Sequence, residues 1–146
     1  MITDYDAEIA VAASEHGIDP RLLTALVLTE SSGRADAFRY EKNVATWFMK
    51  NPKAAGLCER RACSSYGLCQ VLYATATDYG FSTEPEYLFI PRANLDLGAR
   101  ILKDLLRWAR GDEAKALQAY NGGRGGVGTP QTIAYSQRVL KRKAAL

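Results

Sequence analysis

The sequence predicts a single, mainly α domain. Three observations carry that expectation. Apolar residues recur at helical spacing in a succession of short stretches, and recognisable helix starts and stops punctuate them. Only Tyr66 to Leu72 reads as a strand or tight turn, so the β content is a minor element at most. The 146 residues, 47% hydrophobic, fill one core and are too few for two ordinary domains, so residues 1–146 are read as one unit.

In order, Ile9, Ala12 and Ala13 mark a first helix from about Asp4 to His16, ended by Gly17. Asp19 and Pro20 then supply an N-cap and a first-turn proline, and Leu22, Leu23, Leu26 and Val27 form the buried stripe of a second helix that stops near Ser32-Gly33. A third helix is expected from Glu41 to Met49. Asn51 to Ser65, with Pro52 and Gly56, reads as an irregular excursion. Ala74 to Tyr79 reads as helix up to Gly80. Beyond Pro91 the longest periodic segment, with Leu95, Ile101, Leu102, Leu105, Leu106 and Trp108, is expected to be the central packing helix. Asp112 caps a shorter helix through Tyr120, a glycine-rich loop from Asn121 to Gly128 follows, and Thr129-Pro130 opens the last helix.

Composition narrows function only a little. The formal net charge of +3 suits anionic partners without choosing between cell-wall polymers and nucleic acid. Lys141, Arg142 and Lys143 form a basic run that fits a solvated helix end. No run reaches the ~18 apolar residues needed to span a bilayer. The opening Met1-Ile2-Thr3-Asp4-Tyr5-Asp6 is acidic and does not read as a signal peptide. Cys58, Cys63 and Cys69 lack CxxC spacing and the one histidine, His16, lies far upstream, so no metal site is expected; reduced thiols and a Cys58 to Cys63 bridge both stay open.

Glu30 is the residue with chemistry to offer. It follows Val27, Leu26 and Leu23 by three, four and seven positions, which puts it on the apolar face at the helix's last turn. Burial disfavours a carboxylate, and so does the negative end of the helix dipole. A carboxylic acid still protonated near neutral pH is what glycosidic bond cleavage requires. Spacing alone leaves a solvated glutamate at a helix end as the plainer reading.

Its company adds to the case. Glu30-Ser31-Ser32-Gly33, Tyr66-Gly67-Leu68-Cys69-Gln70 and Ala119-Tyr120-Asn121-Gly122-Gly123 occur in fixed order. Together they resemble the catalytic domain of the soluble lytic transglycosylases, including phage endolysin versions, over roughly Ile9 to Leu140. The resemblance implies a lysozyme-like α fold, Glu30 as general acid and then base, and substrate contacts from Ser31, Tyr66, Gln70, Tyr120, Asn121 and Tyr135. It further implies cleavage between N-acetylmuramic acid and N-acetylglucosamine with closure of a 1,6-anhydro ring, without cofactor or metal. Peptidoglycan glycan strands are the expected partner of a monomer that neither binds nucleic acid nor inserts in membranes. The protein would be made in the host cytoplasm and act on the periplasmic or cell-wall polymer after release, as an endolysin does. Cys69 stands where the family usually has methionine, and residues 37–65 form a longer stretch than the simplest members carry.

Alternatives stay open at this point. Asp36 or Glu41 would serve as the second carboxylate of a hydrolytic muramidase. A non-catalytic wall-binding domain or a helix-turn-helix nucleic-acid binder also fits the outline of short helices. Gly123-Arg124-Gly125-Gly126-Val127-Gly128 matches GxGxxG, but it follows a helix rather than a strand, so a dinucleotide site is rejected in favour of a mobile cleft wall.

Overall fold

The computed structural model describes all of residues 1–146. Its helices are α1 (Asp6–His16), α2 (Pro20–Ser31), α3 (Lys42–Phe48), α4 (Glu59–Ala62), α5 (Tyr73–Asp78), α6 (Pro91–Trp108), α7 (Glu113–Gly122) and α8 (Pro130–Ala144). Three short strands, β1 (Phe38–Tyr40), β2 (Ser64–Tyr66) and β3 (Val71–Leu72), form an antiparallel sheet in that order.

The starts and stops work as their chemistry dictates. Gly17 takes the left-handed conformation that closes α1. The Asp19, Asp112 and Thr129 side chains accept from the backbone N–H groups of Arg21, Lys115 and Thr132, which caps α2, α7 and α8. The first helix starts at Asp6 rather than Asp4, because the Asp6 carboxylate folds back onto the N–H groups of Ile2 and Thr3 at 2.6 and 2.7 Å. The helix through Tyr120 runs on to Gly122, so Asn121 is helical and lies outside the loop assigned to it.

Helices α1, α2, α8, α7 and α6 pack each on the next and close a ring, α6 returning to α1. One continuous apolar core runs from Ile9 of α1 to Val139 of α8. It also takes in Tyr66, Leu68 and Val71, so the sheet shares the core of the ring. Central packing is divided: α6 buries Leu95, Leu97, Ala99, Ile101, Leu102 and Leu105, while α2 buries Leu22, Leu23, Ala25, Leu26 and Val27.

Residues 37–72 hold the main departure from expectation. The segment between α2 and α5 contains β1, α3, α4 and a single-turn 3₁₀ helix at Pro52–Ala54. Strand β1 pairs with β2 through Phe38 with Tyr66, Arg39 with Ser65 and Tyr40 with Ser64. The expected strand or turn at Tyr66 to Leu72 is both, since β2 and β3 flank a tight turn in which Gly67 and Gln70 have φ of +75° and +48°. All three cysteines are free thiols in this structure.

Asn94 of α6 ties this turn to the ring. Its amide, buried completely, donates to the carbonyls of Tyr66 and Leu88 at 2.7 and 2.8 Å and accepts from the Cys69 N–H at 2.7 Å. Only glycine fits at 67, because a Cβ there would lie 2.5 Å from the Asn94 amide nitrogen and 2.7 Å from the Leu88 carbonyl. Gly98, one turn further along α6, likewise gives the Cys69 side chain its space, since a Cβ there would stand 2.6 Å from it.

Candidate active site

Glu30 is the next-to-last residue of α2, where the chain leaves the core. The stripe that buries Leu23, Leu26 and Val27 carries Glu30 inward with them, and the side chain is half-buried. Tyr135 of α8, itself 2% exposed, donates its hydroxyl to Glu30 Oε2 at 2.7 Å. Arg39, Glu41 and Arg138 act on the carboxyl by charge, and it acts in turn on Tyr120 and Cys69. Side chains from α2, β1 and the residue after it, the β2–β3 turn, α7 and α8 thus converge on one acid.

These influences oppose one another, and burial is the largest. Loss of water pushes Glu30 from its ordinary value up to about 7, against the Tyr135 hydrogen bond and the charges of Arg39 and Arg138, with Glu41 pushing the same way as burial. Near neutral pH much of Glu30 is therefore a neutral acid able to donate a proton. Burial also holds the hydroxyls of Tyr120 and Tyr135 well above the usual tyrosine range, so both remain donors. Donating by Tyr135 leaves Glu30 Oε2 an acceptor, and the proton of the neutral form then belongs on Oε1.

The other candidate residues divide into those that face this centre and those that support it. Tyr120 is half-buried and donates to the Cys69 carbonyl at 2.6 Å, locking α7 to the β2–β3 turn. Gln70 is half-buried; its Nε2 donates to the carbonyls of Ala37 and Gly67, both at 3.1 Å, which leaves Oε1 uncommitted. Asn121 keeps a buried Oδ1 with no hydrogen-bond partner, an acceptor awaiting a donor. Ser31 is buried and spends its hydroxyl on the helix end, donating to the Val27 carbonyl and accepting from the Gly33 N–H, without a bond to Glu30.

Tyr66 is placed differently from its expected contact with substrate. Its ring is 1% exposed, edge-on to Phe38 and Phe89, and its hydroxyl donates to the Arg61 carbonyl at 2.5 Å. The ring is core that fastens the sheet, with no free surface for a ligand.

Of the two possible second carboxylates, Asp36 is exposed and Glu41 is the one that acts on Glu30. Glu41 accepts from Ser65 Oγ at 3.2 Å and lies 3.7 Å from Arg39 Nε. Arg39 and Arg138 were not singled out from the sequence. For Arg138 a signal existed, since it stands one turn after Tyr135 on α8.

Potential metal ligands group elsewhere. Glu15, His16 and Asp96 cluster where α1 meets α6, on exposed or half-buried positions, and His16 bonds Asp96 at 2.8 Å. That grouping shares no residue with the Glu30 centre. The glycine-rich stretch is tied down: Gly128 N–H donates to Gln118 at 3.0 Å, Thr132 donates to the Gly126 carbonyl at 2.8 Å, and Arg124 stacks over Trp108 at 5.2 Å. These contacts tie the stretch between α7 and α8 to both helices.

Residues 8–142 match the family model described as the transglycosylase SLT domain. Among solved structures the chain is similar to an inactive mutant of the lytic transglycosylase Slt from Pseudomonas aeruginosa, with a TM-score of 0.74 at 19% identity. The match covers 97% of this chain and 24% of that one, so the chain spans about a quarter of that relative's length. At this identity the likeness is one of fold.

Proposed function

The chain belongs to the transglycosylase SLT domain family, and on that premise we propose that it is a peptidoglycan lytic transglycosylase with Glu30 as its acid and base. Glu30 Oε1 gives its proton to the oxygen joining N-acetylmuramic acid to N-acetylglucosamine, and the muramyl C1–O bond breaks. The substrate's own acetamido group shields the developing positive charge. Glu30, now ionised, takes the proton of the muramyl C6 hydroxyl as that oxygen closes on C1. The products are a free N-acetylglucosamine end and a 1,6-anhydro-muramyl end, and Glu30 is again protonated. Ring closure draws on an internal hydroxyl held close to C1, a proximity effect that needs no second carboxylate.

The observation that carries this reading is the environment of Glu30, a desolvated acid with a pKa of about 7 that keeps one oxygen free of protein bonds. Tyr135 orients the carboxyl and steadies it once ionised. Gln70 Oε1 and the orphan Oδ1 of Asn121 are acceptors for sugar hydroxyl or amide protons. Ser31, Tyr120 and Tyr66 act behind them by fixing the helix end, the turn and the sheet. The biological setting we propose is that of an endolysin, active as a single copy on wall polymer after release from the cytoplasm. No helix is long and apolar enough to cross a membrane.

Glu41 favours one second reading, hydrolysis, because its charge reaches Glu30 and a carboxylate near the acid is a base for water. Mass spectrometry of muropeptides released from purified peptidoglycan separates the two. Anhydro-muramyl ends that disappear in Glu30→Gln are expected. Reducing ends heavier by one water, lost in Glu41→Gln, would replace transglycosylation with hydrolysis. Intact glycan strands under conditions where the folded protein binds them would leave only a binding domain.

A further inference from the structure

Two guanidinium groups flank an acid whose chemistry they oppose. Arg39 and Arg138 both favour the ionised form of Glu30, whereas the proposed first step needs the neutral one. Positive charge beside such an acid serves some other purpose or is a pure cost. Arg138 projects from α8 with its guanidinium carbon 5.9 Å from the Tyr135 ring centre, and that ring's hydroxyl is 2.7 Å from Glu30. Arg138 is exposed, and no carboxylate of the protein lies within salt-bridge distance of it. Arg39, from β1, has a side chain 74% exposed and shares its charge only loosely with Glu41 at 3.7 Å. Arg34, by contrast, already spends its Nε on the Ser31 carbonyl.

A planar guanidinium with open donors is matched to a carboxylate, which it binds through two parallel hydrogen bonds. The sugar rings of peptidoglycan carry no charge, so the anions available beside a muramyl unit are those on its lactyl substituent. Where a stem peptide is attached, they are the free carboxylates of the peptide; where it has been removed, the lactyl carboxylate itself is exposed. Resting on the proposed function, we propose that Arg138, assisted by Arg39, binds a carboxylate on the lactyl substituent of the muramyl unit held at Glu30, and so makes the enzyme selective for charged glycan over neutral glycan.

The test compares wild type, Arg138→Gln, Arg138→Lys and Arg39→Gln at pH 5.5, where Glu30 is mostly protonated and loss of a nearby cation changes its protonation little. On stem-bearing strands Arg138→Gln is expected to raise KM about tenfold with a much smaller change in kcat, the loss of one charge-assisted contact. Arg138→Lys should recover part of the loss, because it restores the charge without the fork. Arg39→Gln should show a smaller rise, since Glu41 already shares that charge. On amidase-stripped strands, a KM effect that vanishes identifies the stem carboxylate as the ligand, and one that persists shows that the newly freed lactyl carboxylate takes its place, a reading that the amidated ligand below then checks. An unchanged KM, or a change confined to kcat, overturns the proposal.

A second measurement does not depend on turnover. Calorimetry with the Glu30→Gln protein compares a muropeptide with the same molecule after its carboxylates are amidated. Tighter binding of the free acid, lost in the Arg138→Gln double variant, supports the carboxylate site even if no glycan were ever cleaved. Equal binding of the two forms overturns it.

Discussion

The helical ring and the three-stranded sheet meet at Glu30, and each carries a glutamate to the meeting point with a different fate. On the ring side, α2 draws Glu30 along its apolar stripe into a place where Tyr135 gives the carboxyl its one hydrogen bond and loss of water dominates. On the sheet side, Glu41 leaves β1 with 30% of its side chain exposed, held by Ser65 and near Arg39. Residue type is the same in both. Packing decides which of them loses its water, and Glu30 is the one drawn onto the buried stripe of α2.

Exchanging the ring's acid for its neutral isostere breaks the comparison most sharply. Glu30→Gln is expected to lose lytic activity by roughly a factor of 10² or more while remaining folded, measured as release of muropeptides from purified walls. Its stability changes the other way. Wild-type Glu30 has its full share of stability below pH ~4.5, where folded and unfolded carboxyls are both protonated. That share is lost as pH rises toward the folded value of about 7. Denaturant unfolding at pH 8 should therefore find Glu30→Gln more stable than wild type by about 1 to 3 kcal/mol, with the difference gone at pH 4. A variant less stable at pH 8 would mean that the carboxyl is not desolvated in the fold.

Next in size is the clasp between the two regions. Asn94→Leu leaves the Tyr66 and Leu88 carbonyls and the Cys69 N–H without their partner, and should cost roughly 2 to 4 kcal/mol in equilibrium unfolding. Smaller effects come from the groups that support Glu30. Tyr120→Phe frees the Cys69 carbonyl and should reduce kcat/KM by about tenfold, well short of the Glu30→Gln loss. Equal, near-complete losses in two folded proteins would contradict that order.

The smallest effect sharpens the contrast between the glutamates. Glu41→Gln removes a charge that pushes Glu30 upward, so the alkaline limb of the kcat/KM profile should move to lower pH with its maximum little changed. Tyr135→Phe removes a donor that favours the carboxylate, and its limb should move to higher pH. Both moving the same way would disprove the assignment of these two influences.

The ring was legible because helical spacing, Asp19-Pro20, Asp112 and Thr129-Pro130 are local signals that survive without tertiary context. Spacing made Glu30 a candidate, as a polar residue on an apolar stripe, and the three motifs in fixed order favoured it over a solvated helix end. Strand β1 was not: Phe38-Arg39-Tyr40 is too short to show alternation, and its partners lie more than twenty residues away in β2. Tyr66 was placed at the substrate on resemblance alone, while its burial depends on Phe38 and Phe89, distant in sequence. Asn94 did leave a trace, since it precedes Leu97 by three positions and Gly98 by four on the inner face of α6, where a polar residue needs partners. The helical Asn121-Gly122 was hidden by residue types that usually end helices.

The most direct test of the central claim is the titration of the Glu30 carboxyl itself, followed by ¹³C NMR on protein labelled at glutamate side chains and assigned through Glu30→Gln. A midpoint near 7 is the predicted result. A midpoint in the ordinary range near 4.5 would mean that Glu30 is an ionised surface group at neutral pH, and the acid of the proposed reaction would have to be sought elsewhere.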